Sequence, residues 1–360
     1  MRGGGTGPPG FAEQSTVSRR ALTGWGIVRR ANTIRIADGH SDLLQELVFA
    51  EQQGEDNPFR TRWLEQLQDG GVVLQICAVY QPPQADARTA FRQVLRQVAS
   101  FHATVESNPE VSAVNGRREV GELDSGGLGL LLAIEGVSSF GEDIWPVDLL
   151  ARLGVRVLAP TWNEQNAFAH GCDHDGGLTE LGRRLIDRVP TLGMVIDLAH
   201  ASPQTMTDVL ERAPAGAVFV SHASCRAAHD HRRNLSDAQL TGIAERGGVV
   251  CLMPHPLVVG PSEPTIDRFV DHIDHAVSVM GVDRVGLGGD FLKQIARATG
   301  LGQRSQDGVE IEATVQGLEG PRDYPRLLEV LRARGYSPSD VEAVAGGNLL
   351  RFLAASPLPG

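Results

Sequence analysis

Lysine is almost missing from this chain: among 360 residues Lys293 stands alone. Set beside abundant Arg, Ala and Gly, the scarcity reflects a bias of composition, and it leaves one candidate for any chemistry that needs a lysine. Cysteine is scarce too. Cys77, Cys172, Cys225 and Cys251 are scattered and form no C-x-x-C pair, which excludes a cysteine zinc site and a disulfide framework and fits packing residues of a reduced intracellular protein. No run of about 18 apolar residues occurs, so no membrane-spanning helix is expected. Basic clusters are also lacking. With a formal net charge of -11, the chain offers no surface suited to nucleic acid or an anionic membrane.

The amino-terminal residues 1–30 hold Gly3 to Gly5, Pro8, Pro9, Arg19 and Arg20. They develop no secretory apolar region and read as a flexible tail, with an extra helix packed on the domain as the alternative. Residues 31–360 are then a single domain of a cytoplasmic protein, a length that suits an α/β barrel.

What the sequence does have is eight short aliphatic runs, at 34–37, 72–79, 128–134, 155–159, 194–198, 217–220, 249–253 and 284–287. Segments of helical period alternate with them, at 87–106, 178–191, 203–212, 236–246 and 265–280. Runs apolar on both faces, separated by helices, predict a parallel sheet buried on both sides. Eight of them predict a (β/α)8 barrel. Two connections break the rhythm: 108–127, with a short extra strand expected at 111–114, and 291–324, a long Gly-rich loop and candidate lid. A helical pair at 322–334 and 338–353 ends the chain.

The runs end in polar residues, and barrel topology would gather those endings at one mouth. His40 and Asp42 follow the first run one residue apart, so on an extended strand end both would point to one side and grip one metal ion. Glu135 ends a very apolar run, where a carboxylate must be paired, hydrated or metal-bound; its two oxygens suit it to bridge two ions, with an Arg partner as the plainer alternative. His200 and His222 end neighbouring runs and could complete a second metal. Asp290 ends the last run, behind glycines expected to let the backbone approach the metals; a helix N-cap is its plainer role. His170, His174, His229, His231, His255, His272 and His275 lack that placement and read as surface or supporting residues.

Taken together, Asp38-Gly39-His40-Ser41-Asp42, Glu135-Gly136, Asp197-Leu198-Ala199-His200, Ser221-His222-Ala223-Ser224, Arg232-Arg233-Asn234-Leu235 and Gly289-Asp290-Phe291 resemble the membrane (renal-type) dipeptidase family of zinc peptidases. The likeness runs over roughly residues 34 to 355. It implies two Zn2+ ions, one on His40 and Asp42, the other on His200 and His222, bridged by Glu135, with a hydroxide between them attacking the scissile carbonyl. It further implies Asp290 as the proton shuttle and Arg233 as the fork that holds a substrate carboxylate, although Arg233 alone could equally be a surface ion-pair residue. Many two-metal barrel hydrolases use a carbamylated lysine as the bridge, and Lys293, past the eighth run, is badly placed for that.

The pattern departs from the family after the fourth run. Where the renal-type enzymes have a substrate-contacting histidine, this chain has Trp162, with Asn163, Asn166 and His170 as groups that could take over its hydrogen bond. A second departure is Leu292-Lys293 after Asp290-Phe291, where relatives continue Asp-Gly. The expected activity is hydrolysis of small dipeptides, including L,D-dipeptides. A related amidohydrolase acting on an N-acyl amino acid or a β-lactam is the alternative, and a non-catalytic barrel with a residual site is a third. By analogy with such barrels, a homodimer is expected.

Overall fold

Nine parallel strands form in the computed structural model, which describes Met1 and residues 34–81, 86–123, 127–300, 305 and 307–360. They are β1 (Ile36–Ser41), β2 (Val72–Tyr80), β3 (Val111–Ala113), β4 (Leu128–Glu135), β5 (Val155–Ala159), β6 (Val195–Asp197), β7 (Val218–Ala223), β8 (Val250–Leu252) and β9 (Val285–Leu287). The order β2-β1-β9-β8-β7-β6-β5-β4 is closed by pairing of β2 with β4, from Leu74 opposite Gly129 to Tyr80 opposite Glu135. This is a closed eight-stranded parallel barrel with helices between the strands, a (β/α)8 fold. Residues Ile34–Gly360 cluster as one unit; the expected tail at 1–30 lies outside the described residues.

The extra strand β3 belongs to the 108–127 excursion. It pairs with the first three residues of β4, and β5 takes over the same strand from Leu132 onward. Inward-facing Leu74, Ile76, Leu131, Ala133, Val157, Val195, Phe219 and Val249 fill the barrel and pack on Leu349, Phe352 and Leu353 of the last helix, Asn348–Ala355. Phe219 stacks on Phe352 with ring centroids 5.4 Å apart. That helix closes the end of the barrel opposite the polar mouth.

Differences from the sequence expectation have local causes. The first strand lies later than 34–37 and runs through Asp38, Gly39 and His40, because hydrogen bonds from distant residues satisfy the Asp38 carboxylate inside the fold. The long loop after β9 opens with a helix, Leu292–Thr299, which buries Ile295 and Ala296 and stops at Gly300 in the left-handed conformation. The final helix expected over 338–353 is divided by a wider turn at Ala343–Gly347; a Cβ on Gly346 would come 2.5 Å from the backbone nitrogen of Ala37. The four helices Glu180–Thr191, Pro203–Arg212, Asp237–Glu245 and Ile266–Met280 start behind side-chain caps from Thr179, Ser202, Ser236 and Thr265.

Candidate active site

All six strand-end residues meet at one mouth of the barrel, and all six are buried. His40 Nε2 lies 3.9 Å from Asp42 Oδ1, 3.7 Å from Glu135 Oε1 and 3.9 Å from Asp290 Oδ1. Across the mouth, His200 Nε2 is 2.8 Å from Glu135 Oε1 and 2.9 Å from His222 Nε2, which is itself 3.5 Å from the same carboxylate oxygen. Glu135 therefore stands between the two halves of the cluster.

Asp42 reaches this place by a route other than the one the spacing suggested. It sits just past β1 at the start of the helix Leu43–Gln52 and makes no side-chain cap bond, so its carboxylate turns toward His40. Asp290 is no helix cap either. Phe291 occupies that position before Leu292–Thr299, and Asp290 holds a left-handed backbone with φ of +40°. The nearby glycines let strands approach closely: a Cβ on Gly39 or Gly288 would lie 2.6 Å or 1.9 Å from the Ser221 carbonyl oxygen of β7.

Burial sets the protonation tendencies. It lowers His40 to about 3, helped by the Arg233 charge, and lowers His200 and His222 well below the ordinary histidine value, with Arg233 and neighbouring histidines adding to the effect. Neutral imidazoles offer lone pairs. Burial raises Asp42 and Glu135, with the Asp290 charge adding to both; it also raises Asp290, against the opposing pull of Arg233. Carboxylates packed this closely away from water call for a compensating cation.

Three buried atoms at the centre, His40 Nε2, Asp42 Oδ1 and Asp290 Oδ1, have no hydrogen-bond partner. Two sets, His40 with Glu135 and His222, and His40 with Asp42 and Asp290, place their donor atoms within 4.8 Å of one another. Unpartnered nitrogen and oxygen donors converging in this way fit divalent metal ions. The ring orientations agree: His200 Nδ1 sits 2.6 Å from Asn163 Oδ1 and His222 Nδ1 2.8 Å from Ser221 Oγ, which leaves each Nε2 directed inward.

Arg233 is buried beside the cluster, not on the surface. Its guanidinium donates to the carbonyl oxygens of Ala199 and His222 and lies 3.2 Å from His200 Nε2. Trp162 packs against His200, ring centroids 5.8 Å apart, and against Tyr80 at 5.4 Å. Tyr80, at the end of β2, was not foreseen; its aromatic ring hid it among the apolar residues of its run. Asn163, expected at the substrate, directs its oxygen to His200 and also accepts from Cys172 Sγ at 3.1 Å. Asn166 is committed to Phe168 N, Ala169 N and the Pro160 carbonyl. His170 Nδ1 bonds the Gly177 carbonyl at 2.9 Å. Among the other histidines, His255 and His272 are buried rather than superficial.

The model of the membrane dipeptidase family (peptidase family M19) matches residues 28–356. The chain belongs to that family. Among relatives, Dipeptidase 3 of Mus musculus is 30% identical over 331 residues, 88% of this chain and 63% of that protein; the chain thus spans a little under two thirds of its length. The crystal structure of dipeptidase AC, a metallopeptidase, matches with a TM-score of 0.79 at 24% identity, covering 90% of this chain and 99% of the other. A metallopeptidase from Rhodobacter sphaeroides, liganded with a phosphinate mimic of L-Ala-D-Ala, matches with a TM-score of 0.77 at 23% identity, covering 90% and 100%. In this membrane dipeptidase family member, no described helix is long and apolar enough to cross a membrane.

Proposed function

We propose that this chain is a metal-dependent dipeptidase with two zinc ions. The observation that carries the reading is the cluster of unpartnered buried donors around Glu135, with the buried cation of Arg233 at its edge. His40 and Asp42 would hold one ion, His200 and His222 the other, and Glu135 would bridge them. When bound, such metals activate water and polarise the scissile carbonyl.

The remaining steps fall to side chains. Asp290, across from His40, takes the proton of the attacking water and passes it to the departing amine. Arg233 presents a planar fork suited to the carboxylate end of a dipeptide, and its present bonds to two backbone carbonyls fix its direction. Asn163 keeps His200 in the tautomer that leaves Nε2 free for the metal. Trp162 and Tyr80 form an aromatic wall. The family membership and the L-Ala-D-Ala mimic in the related Rhodobacter protein support small dipeptides, L,D forms included.

One observation favours a second reading. Trp162 offers a single indole N–H and cannot titrate, so an N-acyl amino acid or a β-lactam is the alternative substrate. Turnover of L,L- and L,D-dipeptides by the fully zinc-loaded protein, with those amides in parallel, decides between them; failure on every dipeptide removes the leading reading. Metal analysis is expected to give two equivalents, and a protein that cannot be loaded above one has no binuclear site. Asp290→Asn is expected to cut turnover by about 100-fold or more while keeping its metal, and an unchanged rate would remove the role given to Asp290.

A further inference from the structure

Two buried carboxylates, Asp38 and Asp197, lie next to the cluster and are taken up by backbone groups. Asp197 Oδ1 accepts the N–H of Ala199 at 3.0 Å and that of Ser221 at 2.9 Å. It thereby ties β6 to β7, next to His200 and His222. Asp38 does the same on the opposite side. Its Oδ1 accepts the N–H of His40 at 3.0 Å and that of Gly289 at 2.8 Å, tying β1 to the chain that follows β9, next to His40 and Asp290.

The Asp38 clamp has an additional arm. Its Oδ2 accepts the phenol of Tyr324 at 2.7 Å, a fully buried residue that begins the helix Tyr324–Ala333 beyond the long loop. Gly289 sits against that bond: a Cβ there would lie 2.6 Å from Tyr324 Oη, 2.7 Å from Asp38 Oδ2 and 2.5 Å from Phe291 Cε2. The next residue is Asp290, whose φ of +40° is uncommon outside glycine, although aspartate takes it more readily than most residues. Such a conformation persists only where its surroundings hold it. Here the holding contacts are Asp290 N–H to the His40 carbonyl at 3.1 Å and, one residue earlier, Gly289 N–H to Asp38.

We infer that Tyr324 is a positioning residue: through Asp38 it holds the Gly289–Asp290 turn, and with it the Asp290 carboxylate, in place for proton transfer. The inference rests on the proposed role of Asp290 in a dipeptidase. Tyr324 touches neither substrate nor metal in this scheme. Its hydroxyl orders an acceptor, and the acceptor orders the backbone that aims Asp290.

The test is Tyr324→Phe in the full, metal-loaded chain, with Tyr336→Phe as control, because Tyr336 Oη also donates to a carboxylate, Asp274 Oδ1 at 2.7 Å, on the outer helices. On a dipeptide that the unaltered protein cleaves, Tyr324→Phe is expected to lower kcat about 10-fold with KM and metal content unchanged, Gly289→Ala to reproduce the loss by wedging a methyl into the same bond, and Tyr336→Phe to leave kcat alone. A Tyr324→Phe protein with normal kcat overturns the inference while the dipeptidase reading stands. So does one whose kcat falls only together with lost metal. Crystal structures of the two metal-loaded proteins decide without reference to substrate: movement of Asp290 out of its left-handed conformation in Tyr324→Phe supports the inference, and an unmoved Asp290 overturns it even if the protein cleaves no dipeptide.

Discussion

One oxygen of Glu135 faces three imidazole nitrogens, at 2.8, 3.5 and 3.7 Å. That convergence suits a carboxylate shared between two cations. Lys293 is occupied elsewhere: its Nζ lies 2.5 Å from Glu319 Oε2, and it lines a different cavity with Glu46, Arg62 and Trp63. Lys293→Arg is therefore expected to keep its metal content and turnover, with neither responding to added bicarbonate. Loss of metal in that variant, or activity in the unaltered protein that rises with bicarbonate, would move the bridge from Glu135 to a carbamylated lysine.

At the scale of elements, the helix Ile266–Met280 is fastened to the chain after β7 by a neutral histidine. His272 Nδ1 accepts the Cys225 N–H at 3.0 Å, and Nε2 lies 3.2 Å from the Val259 carbonyl, so a second ring proton would meet a donor. Burial lowers its pKa from 6.5 to about 4, the Val259 bond and Asp271 opposing and Arg268 and His229 assisting. The folded value is the lower one, so this stabilisation is present above pH 6.5 and is lost as pH falls toward 4. A shift of that size corresponds to roughly 3 kcal/mol. Urea unfolding followed from pH 7 to 4.5 is expected to show a shallower acid loss in His272→Gln than in the unaltered chain; identical slopes would exclude the contribution. His255, lowered to about 4 by the same cause, accounts for part of the slope that remains.

The elements also show what could be read from the sequence and what could not. The apolar runs gave β2, β4 and β5 nearly whole, because strands buried on both faces leave a local record of their burial. The helical period placed the helices Pro203–Arg212 and Ile266–Met280 to within a residue for the same reason, since each carries its buried face within its own span. The six residues of the cluster were legible as polar endings on those runs. Asp38 and Asp197 stood in the quoted motifs, but neither their clamping role nor Tyr324 could be read there, since their partners come from other strands or from the far side of the long loop. The first apolar run stopped short of Asp38, and the continuation of β1 through Asp38, Gly39 and His40 depends on the bonds that Gly289 and Tyr324 make to that carboxylate.

For the molecule as a whole, the two ends of the barrel are built on opposite principles. One end is closed by Leu349, Phe352 and Leu353 packed on the apolar interior, and it owes nothing to a ligand. The other gathers Asp42, Glu135 and Asp290 away from water beside a single buried arginine, an arrangement that a bound cation stabilises and that charge repulsion opposes without one. Metal removal should therefore weaken the fold without dissolving it. Chelated protein is expected to keep its helical circular dichroism at room temperature and to unfold at a lower temperature than the loaded form. A ligand present at about 1,000 times its Kd adds roughly 4 kcal/mol, which for a chain of this size is a Tm difference of about 6 °C. Restoring zinc should restore the midpoint, and the Glu135→Gln protein should respond least because the proposed bridge would lose the charge that two ions would share. Equal midpoints for chelated and zinc-loaded protein would mean that the buried carboxylates are balanced without a metal, and the two-metal assignment would fall with them.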